Sequence, residues 1–193
     1  MTITTKLSPR ERSIADAKAD PMHGVTWIWD DGGRHEAGFE GIVGDCVARS
    51  VAIASGRPYR EIYDRLAQGN ATQRRCKRES VSAARTGRAT ASHGIFTRRK
   101  WFSDYMTELG AAWVPTMAIG AGCKVHLSAR ELPPGRLVVN VSKHLTAVID
   151  GVIRDLHDPS RGGTRCVYGY WVFPDTPDKK ATRPPYAVKR PKA

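Results

Sequence analysis

The feature that most constrains the fold is a short helix that must be buried all around. Residues 46–54 are apolar or small at seven of nine positions, and these residues surround the helix axis instead of forming one stripe. Asp45 is a suitable N-cap residue, and Gly56 stands where a C-terminal cap belongs. The pattern predicts a buried helix, not an amphipathic surface helix.

Composition bounds what can surround this helix. The chain has 193 residues, of which 40% are apolar and 26% charged, enough for one compact domain with a core. No apolar run approaches the ~20 residues that a membrane helix needs, so no span is expected. The N-terminus has no apolar stretch after its first lysine, so no secretory signal is expected either.

The four cysteines stand at 46, 76, 123 and 166, without a Cys-x-x-Cys pair. A disulfide-dense scaffold is therefore not expected, and reduced thiols in a cytosol are the expectation. Cys123-x-x-His126 lacks the further ligands of a zinc site at a recognisable spacing. Cys76 and Cys166 are interpreted as structural or incidental. Neither a metal nor a cofactor is expected.

The order of local patterns is helices first and strands afterwards, which predicts an α+β fold with an antiparallel sheet. Three regions are predicted: a polar arm at 1–22, a domain at 23–174 and a basic disordered tail at 175–193. Within the domain we expect an extended segment or hairpin in 25–43, followed by three helices and four or five strands. The helices begin at Asp45, at Pro58 (ending at Gly69-Asn70) and at Trp101, and the strands lie near 113–118, 136–142, 144–149, 152–157 and 168–173.

Positive charge is concentrated in two segments. Residues 57–100 hold twelve Lys or Arg against three Asp or Glu, and residues 179–193 hold six basic residues and no acidic one. Residues 70–92 have no hydrophobic period and are predicted to be a mobile loop. With a formal net charge of +12, the chain is expected to make weak, sequence-independent contacts with nucleic acid through this loop and the tail.

Three residues form a candidate catalytic constellation. Cys46 begins the buried helix, where the helix dipole and unpaired amides lower a thiol's pKa. His144 follows on a strand about a hundred residues later and suits a general acid and base. An Asp on the next strand would hold the imidazole in one tautomer. Asp158 is the preferred third member, Asp155 is the alternative, and His157 is a less favoured candidate base.

The segments around these residues carry a family resemblance. They resemble the papain-like cysteine peptidases, nearest to the leader-processing peptidases of bacteriocin exporters and to small papain-like proteins of phages and prophages. The likeness covers roughly residues 39–173. It implies a papain-like fold, a protein or peptide substrate, and a location in the cytoplasm of a bacterial or phage-infected cell or in association with a virion. The segments that carry it are Gly44–Arg49, Lys143–Gly151 and Asp155–Pro159.

The hairpin between the His strand and the Asp strand decides which carboxylate meets His144. If Asp150-Gly151 is a two-residue turn, His144 faces His157 and Asp155 lies diagonal to His144 on the same face. If the turn carries one extra residue as a bulge, His144 faces Asp158. The Asp-Pro of the resemblance favours the bulge, and the bulged register is our prediction.

One position departs from the family pattern. Papain-like enzymes usually place a Gln before the nucleophile, where it helps to bind the oxyanion, whereas this chain has Glu40 six residues before Cys46. Glu40 is predicted to lie close to the cleft. The leading hypothesis is a cysteine peptidase, isopeptidase or amidase. The alternatives are a catalytically degenerate relative that binds nucleic acid or a virion, and an acyltransferase that resembles transglutaminases or arylamine acetyltransferases.

Overall fold

The computed structural model describes residues 26–41, 44–72, 90–92 and 95–174. Within them it has three helices and one six-stranded sheet, so the predicted α+β class is confirmed. The helices are α1 (Cys46–Ser55), α2 (Tyr59–Thr72) and α3 (Lys100–Glu108). The strands are β1 (Thr26–Trp29), β2 (Ala112–Pro115), β3 (Arg136–Val141), β4 (His144–Ile149), β5 (Val152–Asp155) and β6 (Val167–Phe173).

The sheet is mixed, with strand order β1-β5-β4-β3-β6-β2. Five strands pair antiparallel to their neighbours, as predicted, but β1 pairs parallel with β5, with Thr26 opposite Val152 and Trp29 opposite Asp155. The expectation of a purely antiparallel sheet is therefore wrong. In the described residues, all three helices and three strands (β2, β3 and β4) lie between β1 and β5 in sequence, and no local pattern indicates a pairing over that distance.

Helix α1 is buried from Val47 to Ser55, as its composition predicts. It packs most extensively on β4 and also contacts β3, β5 and α2. Gly56 ends it in the left-handed conformation at φ 72°, where its N–H donates to the Ala52 carbonyl at 2.9 Å. Cys46 therefore begins a helix whose position is set by its packing in the core.

Helix α2 continues beyond the predicted stop at Gly69-Asn70 and ends at Thr72. Gly69 lies inside the helix, and the ring of Trp101 packs directly against it. A Cβ at residue 69 would come within 2.4 Å of that ring. Here glycine serves a close helix–helix contact instead of ending a helix.

A disulfide joins Cys123 to Cys166, which precedes β6. An isolated bridge between His126 and Cys166 and the bond from the Leu127 N–H to the Arg165 carbonyl hold the same two segments together. The expectation of reduced thiols is therefore wrong for Cys123 and Cys166. Spacing could not show this pairing, because 43 residues separate the two cysteines in sequence and only the fold brings them together.

Several predictions concern segments outside the described residues. These are the polar arm at 1–22, the basic tail at 175–193 and most of the basic loop at 70–92. No helix in the described part of the chain is both long and apolar enough to cross a membrane.

Candidate active site

Cys46 is the first residue of α1 and is partly exposed at the floor of a cleft. Asp45 occupies the predicted N-cap position, but its side chain makes no capping hydrogen bond. Its carboxylate instead contacts Arg34, Arg49 and Tyr59. The thiol thus lies at the positive end of a helix whose first amides the Asp45 side chain does not occupy.

His144 is the first residue of β4, and its imidazole lines the same cleft as the Cys46 thiol. Interaction with the His144 side chain and with the Leu145 backbone lowers the pKa of that thiol. The Leu145 amide is available because the β4–β5 ladder covers only Ala147–Ile149. The thiol therefore lies where β4 and β5 separate, beside the His144 imidazole and the Leu145 backbone.

Asp155 is the carboxylate that holds His144, with its Oδ2 at 2.7 Å from the His144 Nε2. Asp150 and Gly151 have φ of 49° and 79°, so both central residues of the turn are left-handed, as a two-residue type I′ hairpin requires. Ile149 consequently pairs with Val152. The predicted bulged register is wrong, and the alternative register places Asp155 diagonal to His144.

Asp158 lies elsewhere. Its side chain is exposed, and its Oδ1 accepts the Ser160 N–H at 2.8 Å, so it shapes the loop after β5. The His157 ring lies 5.5 Å from the His144 ring between centroids, tilted by 38°, which agrees with the two-residue register. The structure thus brings together Cys46, His144 and Asp155 and leaves Asp158 outside this group.

Arg49 is the site residue that the sequence analysis did not single out. It lies one helical turn after Cys46 and is almost fully buried. Its Nη1 donates to the Asp155 Oδ1 at 2.9 Å, and its Nε donates to the Asp45 Oδ1 at 3.1 Å. A lone arginine in an otherwise apolar buried helix was the available signal, because a buried charge needs a partner.

The charges of the site alternate in sign along these contacts. Burial opposes the imidazolium, but hydrogen bonds to Asp155 and Cys46 outweigh burial and raise the pKa of His144 to about 9. Burial raises the pKa of the Cys46 thiol, yet the hydrogen bond and charge of His144 leave it lowered overall. Burial likewise raises the pKa of Asp155, but His144 and Arg49 hold it below its usual range. The arrangement shifts the pair toward thiolate and imidazolium.

The cleft above this pair has a volume of about 1120 Å³. Cys46, His144, the segment 95–100, the segment 117–120 and Trp113 are among the residues that line it. Glu40 is exposed, and its carbonyl oxygen accepts a hydrogen bond from the Arg34 Nη2 at 3.0 Å. Glu40 is not among the residues that line the cleft, so its predicted closeness to the cleft stays a prediction.

The partial zinc pattern is not a metal site in this structure. Cys123 is in the disulfide, and the His126 Nδ1 lies 3.1 Å from the Glu131 carboxylate. Among the described residues, no group of three or more His, Cys, Asp or Glu side chains is arranged to hold a metal ion.

Comparison of the chain with protein-family models found no match, and neither did comparisons with curated proteins and with solved structures.

Proposed function

We propose that this chain is a papain-like cysteine hydrolase that cleaves amide bonds as a peptidase, isopeptidase or amidase. The observation that carries the proposal is the grouping of Cys46, His144 and Asp155: Cys46 and His144 line one cleft and shift each other's pKa, and the His144 Nε2 lies 2.7 Å from the Asp155 Oδ2. A nucleophile, an acid–base group and an orienting carboxylate in this order are what acyl transfer requires. The bacterial or phage-related setting, cytoplasmic or virion-associated, is part of the same proposal.

The first half of the reaction forms a thioester. The Cys46 thiolate attacks the substrate carbonyl carbon, and a C–S bond forms. His144 Nε2 is held by Asp155, so Nδ1 is the nitrogen that faces the thiol and gives its proton to the leaving nitrogen. The C–N bond then breaks, and the amine departs.

The second half hydrolyses the thioester. His144 is now neutral and takes a proton from a water molecule, whose oxygen attacks the acyl carbon. The C–S bond breaks, the acid is released, and the thiolate–imidazolium pair is restored. Asp155 keeps the imidazole in one orientation throughout, because its hydrogen bond to Nε2 fixes the ring.

The developing oxyanion needs hydrogen-bond donors. The amides at the start of α1 are our proposed donors, since the Asp45 side chain does not cap them. Glu40 has no part in this proposal because it does not line the cleft. The absence of the Gln that papain-like enzymes usually place before the nucleophile therefore does not remove the oxyanion donors proposed for this site.

A covalent-intermediate experiment tests the proposed function. The full chain is mixed with an activated ester, and the acylated residue is mapped by mass spectrometry. Three results together support the proposal. Cys46 is acylated and the adduct turns over in wild type, acylation is lost in Cys46→Ala, and acylation of Cys46 persists in Cys76→Ser. Absence of any acyl adduct on Cys46 in the folded wild-type chain contradicts it, as a catalytically inactive relative would predict.

A further inference from the structure

The charged side chains along the cleft are all positive. Arg98, Arg99, Lys100 and Lys143 line it, and no Asp or Glu side chain is found among the described residues of its wall. They come from two separate segments, one that leads into the first residue of α3 and one in the β3–β4 turn next to His144. Cations from two sides of one groove attract a negatively charged ligand into it.

The cations differ in how they are paired within the described residues. Arg98 and Lys143 are exposed, and neither forms an ion pair within the described part of the chain. Lys100 pairs with Asp104 at 2.7 Å, but both side chains are largely exposed, and such a pair is weak and easily exchanged. The Arg99 guanidinium lies over the Phe96 ring at 5.4 Å, so it also contacts aromatic surface of the cleft.

Apolar side chains line the same cleft as the cations. Trp113 and Phe96 are exposed at 40% and 46%, and Ile119 is fully exposed. The Trp113 ring packs on Trp171 at 5.3 Å between centroids, and Trp171 also lines the cleft. Exposed aromatic surface inside a groove is a binding surface for an apolar side chain.

We propose that the substrate is an acidic peptide segment in which carboxylate side chains flank an apolar or aromatic residue near the scissile carbonyl. This inference rests on the proposed function, since it assigns the substrate class of the same Cys46 site. The carboxylates lie against Arg98 and Lys143, and the apolar residue packs on Trp113 and Trp171. A nucleic acid matches the charge but offers no acyl carbon bonded to an amine leaving group for Cys46 to attack.

The first test compares two alkylating reagents that differ in charge. Iodoacetate and iodoacetamide are reacted with the full chain at low salt, and the rate at Cys46 is followed by mass mapping. We expect the ratio of the iodoacetate rate to the iodoacetamide rate at Cys46 to be higher in the folded chain than in the chain unfolded in urea. The double variant Arg98→Gln and Lys143→Gln should lower the iodoacetate-to-iodoacetamide rate ratio by about fourfold, and added salt should lower it in wild type. Arg130→Gln is the matched control, because Arg130 is exposed and lies outside the cleft wall.

The second test uses matched fluorogenic peptides. One has Glu on both sides of a central Phe, and the other has Lys at the same positions. Faster turnover of the Glu peptide, lost in the double variant and retained in Arg130→Gln, supports the inference.

The outcomes separate the inference from the proposed function. Fast alkylation of Cys46 with an unchanged reagent ratio in the double variant, or equal turnover of both peptides, overturns the acidic substrate and leaves the hydrolase intact. Alkylation no faster than in the unfolded chain overturns both. Protection of Cys46 by an oligonucleotide but not by the Glu peptide overturns the peptide assignment in favour of nucleic acid.

Discussion

At the scale of single residues, two backbone angles decide which carboxylate serves His144. Asp150 and Gly151 both adopt positive φ, so the hairpin closes in two residues and Asp155 reaches the imidazole. One extra residue in the turn would have placed His144 opposite Asp158 instead. The Asp-Gly dipeptide carried this information in the sequence, and the family likeness of Asp158-Pro159 pointed the other way.

Asp155→Asn is expected to lower turnover roughly 10- to 100-fold. Asn keeps an acceptor for the His144 Nε2 but removes the negative charge that raises the pKa of His144, so less thiolate forms on Cys46. Steady-state kinetics on the Glu peptide or on an activated ester measure the loss.

Asp158→Asn is the matched control for this experiment. Its side chain is exposed and can still accept the Ser160 N–H, so turnover should stay within about twofold of wild type. A larger loss in Asp158→Asn than in Asp155→Asn would contradict the assignment.

At the scale of elements, Arg49 ties the helix that bears Cys46 to the strand that bears Asp155. Its buried ion pair to Asp155 at 2.9 Å joins α1 to β5, and its pair to Asp45 at 3.1 Å lies within the first turn of α1. The nucleophile and the orienting carboxylate are thus held by one side chain that touches neither the thiol nor the substrate cleft. Arg49 is a positioning residue in this account.

Arg49→Gln should lower the free energy of unfolding by about 3–5 kcal/mol, because it breaks two buried ion pairs at once. Arg57→Gln removes one partner of an exposed pair with Glu61 and should cost at most about 1 kcal/mol. Urea denaturation followed by tryptophan fluorescence measures both. Equal losses in the two variants would show that the buried network contributes no more than a surface pair.

At the scale of the whole molecule, the Cys123–Cys166 disulfide joins two segments that continue into the cleft lining. Cys123 directly follows Gly122, which lines the cleft with residues 117–120, and Cys166 stands two residues before Tyr168, which also lines it. The bond spans 43 residues of sequence, so it restricts the unfolded chain substantially.

Reduction of this disulfide should lower the free energy of unfolding by about 2–4 kcal/mol. The measurement is urea unfolding with and without dithiothreitol. The double variant Cys123→Ser and Cys166→Ser should match the reduced wild type and show no further response to dithiothreitol. A wild-type curve that dithiothreitol leaves unchanged would mean that the bond does not form in the folded chain.

The parts that sequence could predict are those with local signals. Helix α1 followed from its all-round apolar composition and Gly56, and the β4–β5 hairpin followed from Asp150-Gly151. The parallel pairing of β1 and the disulfide depend on contacts between distant segments, for which a single sequence carries no pattern. Cys46 and His144 could be selected by type and order, whereas Asp155 and Arg49 required the register and packing of the folded chain.

The pH dependence of Cys46 alkylation by iodoacetamide tests the central claim most directly. The lowered pKa of Cys46 and the pKa of about 9 for His144 predict a thiolate–imidazolium pair between these two values. The wild-type rate should rise at a pH below the value of about 8.5 for an ordinary thiol and change again near pH 9, when His144 loses its proton. In His144→Ala the first inflection should move up to that of an ordinary thiol. A wild-type inflection that coincides with that of His144→Ala would contradict the account.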